Sequence, residues 1–144
     1  MRDSRQGSYG VIALILSIGL RAVALASIPG PIEGGLALIA AHAVSRATLA
    51  PAMLLMTPAR PDGLGAMAGT PSTAAALVSV AIGAVLAWGM LGPVRGTVAL
   101  LLSGMAVATT AALARRQIGG YTGDVLGAFQ QIGEIVMLLA AAAR

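Results

Sequence analysis

Gly96-Thr97-Val98-Ala99-Leu100-Leu101-Leu102-Ser103-Gly104-Met105-Ala106-Val107-Ala108-Thr109-Thr110-Ala111-Ala112-Leu113-Ala114 runs without one charged side chain. A helix that crosses a bilayer needs about 20 mostly apolar residues, and this run meets that length. Four more segments qualify, at about Gly10 to Ile28, Gly35 to Thr57, Thr73 to Leu91 and Val125 to Ala143. Pro29-Gly30-Pro31 and Gly92-Pro93 separate neighbouring runs, and the polar, Pro/Gly-rich stretch from Pro58 to Ser72 separates the second from the third. No strand alternation or internal repeat is present. The expectation is an all-α polytopic membrane bundle of about five transmembrane helices, with residues 1–144 forming a single domain.

Composition agrees. Of 144 residues, 58% are hydrophobic and 10% are charged, against about 25% charged in an ordinary soluble domain. Mean hydropathy is +0.90. This excludes a soluble globular domain and a disordered chain. The net charge of +4 comes from nine basic residues, all Arg, and five acids. Spread so thinly, the arginines make no stripe for nucleic acid. In a membrane protein they mark helix ends and sidedness. The absence of cysteine excludes disulfides, thiolate metal sites and a cysteine nucleophile. Frequent Ala and Gly allow close helix packing. Arg2 and Arg5 before an apolar run resemble a signal peptide, but Arg21 interrupts the run before any cleavage site.

Five spans put the N-terminus, the 58–72 loop and the 115–124 loop on one face. That face carries Arg2, Arg5, Arg60, Arg115 and Arg116, and the other carries Arg95 and Arg144. The positive-inside rule makes the first face cytoplasmic. Asp3, Asp62 and Asp124 fall there too.

The stretch Arg115-Arg116-Gln117-Ile118-Gly119-Gly120-Tyr121-Thr122-Gly123-Asp124, continuing to Gly133-Glu134, is the most informative for chemistry. Its glycines allow close approach to a ligand, and the last helix, if capped by Thr122, directs its positive end there. Asp124, Gly127, Gln131 and Glu134 are spaced to share one helix face. Glu134 then lies about 15 Å deeper than Asp124. An ionisable group that deep is a functional candidate by default. The plainer alternative is that the glycines serve tight packing and Glu134 pairs with a neighbouring Arg. Arg46 is either a substrate contact or a partner for an acid such as Glu134. Arg21 is expected to pair or snorkel, His42 to be a packed, hydrogen-bonded histidine or to take a helix-end position, and Arg115-Arg116 to mark topology.

Gly119-Gly120-Tyr121-Thr122-Gly123-Asp124-Val125-Leu126-Gly127-Ala128, followed by Gln and Glu, resembles the adenosylcobinamide-GDP ribazoletransferase (cobalamin 5′-phosphate synthase) family. Met1-Arg2-Asp3-Ser4-Arg5-Gln6-Gly7-Ser8-Tyr9-Gly10, Ser45-Arg46 and Arg60-Pro61-Asp62-Gly63-Leu64-Gly65 are similar to further segments of that family, in the same order. The family pattern carries, upstream, an acidic His-x-Asp-Gly-x-x-Asp motif suited to Mg²⁺. The resemblance therefore implies the C-terminal part of such an enzyme, which would need the upstream part for activity.

What the resemblance implies is a transferase of cobalamin biosynthesis in the inner membrane. A hydroxyl of α-ribazole or its 5′-phosphate attacks the cobinamide-bearing phosphorus of adenosylcobinamide-GDP, and GMP leaves. Asp124 is then the candidate metal ligand or base, with Mg²⁺ as cofactor. Arg5 and Arg46 are candidates for the pyrophosphate, and Gly119, Gly120, Tyr121 and Thr122 for substrate phosphate. Asp3 is a second acid, and Glu134 a proton acceptor or ion-pair anchor. The partners implied are the two substrates and the lipid bilayer, with no nucleic acid; association into a homo-oligomer stays open. The alternatives are a small transporter or channel and a non-catalytic remnant. A CDP-alcohol phosphotransferase would need an Asp-x-x-Asp-Gly-x-x-Ala-Arg run, which this sequence lacks.

Overall fold

A computed structural model describes residues 7–60 and 63–143. Among these described residues seven helices follow one another: α1 (Ser8–Ser27), α2 (Pro31–Ala47), α3 (Leu49–Leu55), α4 (Leu64–Met67), α5 (Thr73–Leu91), α6 (Pro93–Ile118) and α7 (Gly123–Ala142). Five membrane-length helices result, since α2 and α3 form one span from Pro31 to Leu55. The protein is a multi-pass, all-α membrane protein, as its hydropathy predicts.

Several boundaries differ from the sequence reading, and two of the shifts have a local cause. The second span starts at Pro31 rather than Gly35, because proline suits the first helical turn, where no N–H is required. The α6 helix continues through Arg115 and Arg116 to Ile118, so both arginines sit in its last turn. Cations are favoured at that end of a helix. Gly119, in the left-handed region at φ 76°, terminates it. The predicted 115–124 loop thus shrinks to residues 119–122, and the polar 58–72 stretch holds the short α4.

The break between α2 and α3 has a local cause. Pro51 has no N–H to give the carbonyl of Ala47, four residues back. That carbonyl instead lies 3.1 Å from the Ser79 hydroxyl of α5, whose single proton it shares with the Ala76 carbonyl at 2.8 Å. In a bilayer no water would replace the lost bond, so a neighbouring hydroxyl must. The same contact requires Gly83: a Cβ there would lie 2.8 Å from that of Ala47.

Helices α2, α5, α6 and α7 pack as a ring, with α2 against α5 and α7, and α6 between α5 and α7. The core is built of small side chains, Ala37, Ala40, Ala41, Ala87 and Ala99, with Met137 and Leu138 between them. A second cluster, around Phe129, Tyr121 and Met56, lies toward the start of α7. Helix α1 stands outside the ring along α7 and buries only Ala24. Its Val11, Leu14, Ile15 and Ile18 face outward, as lipid contact permits. Near its end, Ala24, Leu25 and Ile28 join the alanine core. Helices α1 and α2 both pack on α7 but have few direct contacts with each other, so the strip of α7 between them forms a shallow cleft on which Gln131 and Asp124 are exposed.

Candidate functional site

The start of α7 is held by a backbone strap. The Tyr121 N–H donates to the Thr57 carbonyl at 3.0 Å, and the Ala59 N–H donates to the Tyr121 carbonyl at 2.8 Å. These bonds make a two-residue parallel bridge between Pro58 and Tyr121. A Cβ on Gly120 would run into the Thr57 carbonyl oxygen, so only glycine lets the two chains meet. The Tyr121 ring is 1% exposed. It lies under Gly65, whose added Cβ would come within 3.2 Å of the ring. Gly65 of one motif segment thus packs on Tyr121 and Gly123 of another.

Within the motif, Gly120 and Tyr121 are buried, while Gly119, Gly123 and Asp124 are exposed. Thr122 caps α7 as its sequence position predicts, its Oγ1 accepting from the Val125 N–H at 3.3 Å. The exposed carboxylate of Asp124 sits in the first turn, where the helix dipole favours an anion. Asp3, Arg5 and Asp62 lie outside the described residues.

Deeper along α7 the cleft carries a polar cluster. Glu134 is 6% exposed. Its Oε1 lies 3.0 Å from Arg21 Nε of α1, and its Oε2 lies 3.2 Å from His42 Nδ1 of α2. The Arg21 Nε–H makes no hydrogen bond; the contact with Glu134 is ionic, with the N–H off the line to oxygen. The Arg21 guanidinium also donates to Gln131 Oε1, which accepts from Ser17 at 3.4 Å. Arg46 Nη1 lies 3.2 Å from His42 Nδ1 and donates to the His42 carbonyl at 3.3 Å. His42 Nδ1 therefore stands between Glu134 and Arg46 and can serve only one. Protonated, it donates to the carboxylate; bare, it accepts from the guanidinium.

Of the two alternatives for Arg46, the pairing with an acid does not form among the described residues, because Arg21 and His42 occupy Glu134. Arg21 pairs, as expected. His42 is hydrogen-bonded but not packed, with its side chain 48% exposed. Helical spacing correctly placed Gln131 and Glu134 on one face, since Arg21 reaches both. The sequence reading passed over Ser17. Its i, i+4 spacing to Arg21 on a lipid-length helix was the available signal. No hydrogen bond or ion pair joins Asp124 to Arg46 among the described residues. The two are on the exposed faces of adjacent helices, at different depths: Ser45, beside Arg46, packs on Gly133, and Gly133 is nine residues beyond Asp124, or about 13 Å.

Among the described residues no three carboxylates or imidazoles gather as a metal site. Asp124 offers a single carboxylate, and Mg²⁺ takes about six oxygen ligands, so the described residues do not fit a Mg²⁺ ion by themselves.

Arginine, histidine and glutamine exposed at bilayer depth do not face lipid without cost. Such residues line water-filled paths or contact other protein. The face of α2 and α7 from Asp124 to Arg46 is therefore the candidate site, with a cationic guanidinium inside and a carboxylate at the rim.

No solved structure matches this chain. The family model described as cobalamin-5-phosphate synthase matches residues 1–142. An adenosylcobinamide-GDP ribazoletransferase of Bradyrhizobium diazoefficiens is 54% identical over 143 residues, covering 99% of this chain and 55% of that protein. One of Mesorhizobium japonicum is 45% identical over 141 residues, covering 98% and 54%. One of Rhizobium etli is 44% identical over 149 residues, covering 99% and 57%. The chain thus spans about half the length of the curated relatives it matches. With the motif segments, the membrane fold and these matches in agreement, this chain belongs to the cobalamin-5-phosphate synthase family.

Proposed function

We propose that this chain supplies the membrane-embedded part of a ribazole transfer in cobalamin biosynthesis. A hydroxyl oxygen of α-ribazole, or of its 5′-phosphate, forms a new bond to the cobinamide-bearing phosphorus of adenosylcobinamide-GDP. The phosphoanhydride bond to the guanosine phosphate breaks and GMP leaves. The hydroxyl proton passes to a base at the cleft rim, for which Asp124 is the described candidate. Arg46, with no acid to neutralise it among the described residues, is suited to the negative phosphates, and the exposed Gly119 and half-buried Thr122 to a substrate phosphate at the mouth. In this reading Glu134 is an anchor: two cationic or donor side chains already occupy its oxygens. A divalent cation at Asp124 would need further ligands from outside the described residues. The relatives' printed name and the uncompensated guanidinium in the cleft support the reading, and the latter observation carries it.

The face holding Arg60, Arg115, Arg116 and Asp124 is proposed as cytoplasmic and the bilayer as the inner membrane, on the balance of arginines across the two faces. The test measures GMP release from adenosylcobinamide-GDP in membranes. The chain is assayed alone and joined to the unmatched part of the Bradyrhizobium diazoefficiens relative. Asp124→Asn should lower release by about a hundredfold or more, the scale of general-base catalysis, at unchanged membrane content. Full turnover in that variant overturns the role.

A further inference from the structure

On the side of the bundle away from the cleft, α2, α3, α5 and α6 enclose a furrow of about 560 Å³. That size is in the range of ligand pockets. It is hollow because its walls are small: Gly83 and Ala84 of α5, and Gly104 and Ala108 of α6, opposite Pro51 at the helix break. Thr48 and Arg115 are the polar members of an otherwise apolar lining. Arg115 marks one end, where α6 reaches the membrane face on which α7 starts. There its guanidinium donates to the Leu55 carbonyl, one of the five N–H groups an arginine carries. Arg116, exposed, is the next residue of the same last turn.

We propose that this furrow is a binding site for an anionic phospholipid, with an acyl chain between α3, α5 and α6 and the headgroup phosphate at Arg115 and Arg116. Two observations converge. The lining excludes water-soluble ligands along its length and suits a hydrocarbon chain at bilayer depth. Among the described residues the furrow's one charged lining side chain is Arg115, with Arg116 beside it in the same last turn, at the height of lipid headgroups. A basic residue there favours a net-negative headgroup by about fivefold. The inference is independent of the proposed transferase chemistry, which lies on the opposite side of the bundle.

The test uses the purified chain in detergent, with retained lipid read by native mass spectrometry after titration with phosphatidylglycerol or phosphatidylcholine of the same acyl chains. Wild-type protein is expected to retain phosphatidylglycerol several-fold better. Arg115→Gln should remove about a fivefold share of that preference. Gly104→Leu should reduce retention of both lipids, since a Cβ at Gly104 meets nothing within 4 Å and its side chain would fill open furrow. sn-Glycerol 3-phosphate should not compete, which separates a lipid from a free phosphate. Equal retention of the two lipids, or phosphatidylglycerol binding untouched by both variants, overturns the proposal. So does competition by glycerol phosphate, or a dimer that Gly104→Leu dissolves with no lipid adduct in the wild type.

Discussion

Neutralising Glu134 isolates what holds α1 to the bundle. Helix α1 buries only Ala24 and leaves most of its apolar side chains exposed, so hydrocarbon packing distinguishes poorly between α1 on α7 and α1 in lipid. The distinguishing contacts are polar: Arg21 with Glu134 and Gln131, and Ser17 with Gln131. Removing one partner of a fully buried ion pair costs about 3–5 kcal/mol. Here the Arg21 side chain is 20% exposed, it keeps Gln131, and it sits six residues from the end of α1. That is about 9 Å along the axis, a distance over which arginine can reach toward the interface. Interhelical polar contacts in bilayers are worth about 0.6–1.7 kcal/mol each. Glu134→Gln should therefore weaken α1 docking by about 1–2 kcal/mol, or five- to thirtyfold in the docked-to-undocked ratio.

The chain has no cysteine, so Ala24→Cys gives a single thiol at a position 2% exposed. Its alkylation by a membrane-permeant maleimide reports undocking. The rate should rise five- to thirtyfold when Glu134→Gln is added. With Arg21→Gln also present it should fall back toward the starting value, because a neutral pair leaves no unpartnered cation in the membrane. Equal alkylation rates with Glu134 and with Gln at that position would refute the view that this pair docks α1.

Gly120→Ala should cost about 1–3 kcal/mol by forcing the strap open against the Thr57 carbonyl; an unchanged unfolding temperature in detergent would contradict the packing role. A topology reporter fused after Arg144 should lie across the membrane from one inserted in the 66–70 segment, since α5, α6 and α7 cross it an odd number of times between them. With the arginine-rich face inward, the C-terminal reporter is outside the cytoplasm. Reporters on the same side would overturn the five-span arrangement.

The bilayer class, the five spans and the capped start of α7 were legible in the sequence because each depends on local chain properties. An uncharged run of bilayer length can only span or be buried, a Pro-Gly-Pro or Gly-Pro step ends a helix, and Thr122 caps the residues that follow it. The motif residues were legible as a family resemblance. What the sequence left open were relations between helices. It offered Arg46 as a partner for Glu134, yet Arg21 and His42 hold it. It read Gly120 as a contact for phosphate, whereas the close-packed neighbour is the Thr57 backbone. It could not tell that Ser79 would replace the hydrogen bond that Pro51 removes. The reason is rotational. A helix apolar on all sides carries almost no amphipathic signal to say which face turns inward. Which polar side chain meets which is therefore decided only when small residues such as Gly83 and Gly133 set how closely, and at what angle about their axes, the helices meet.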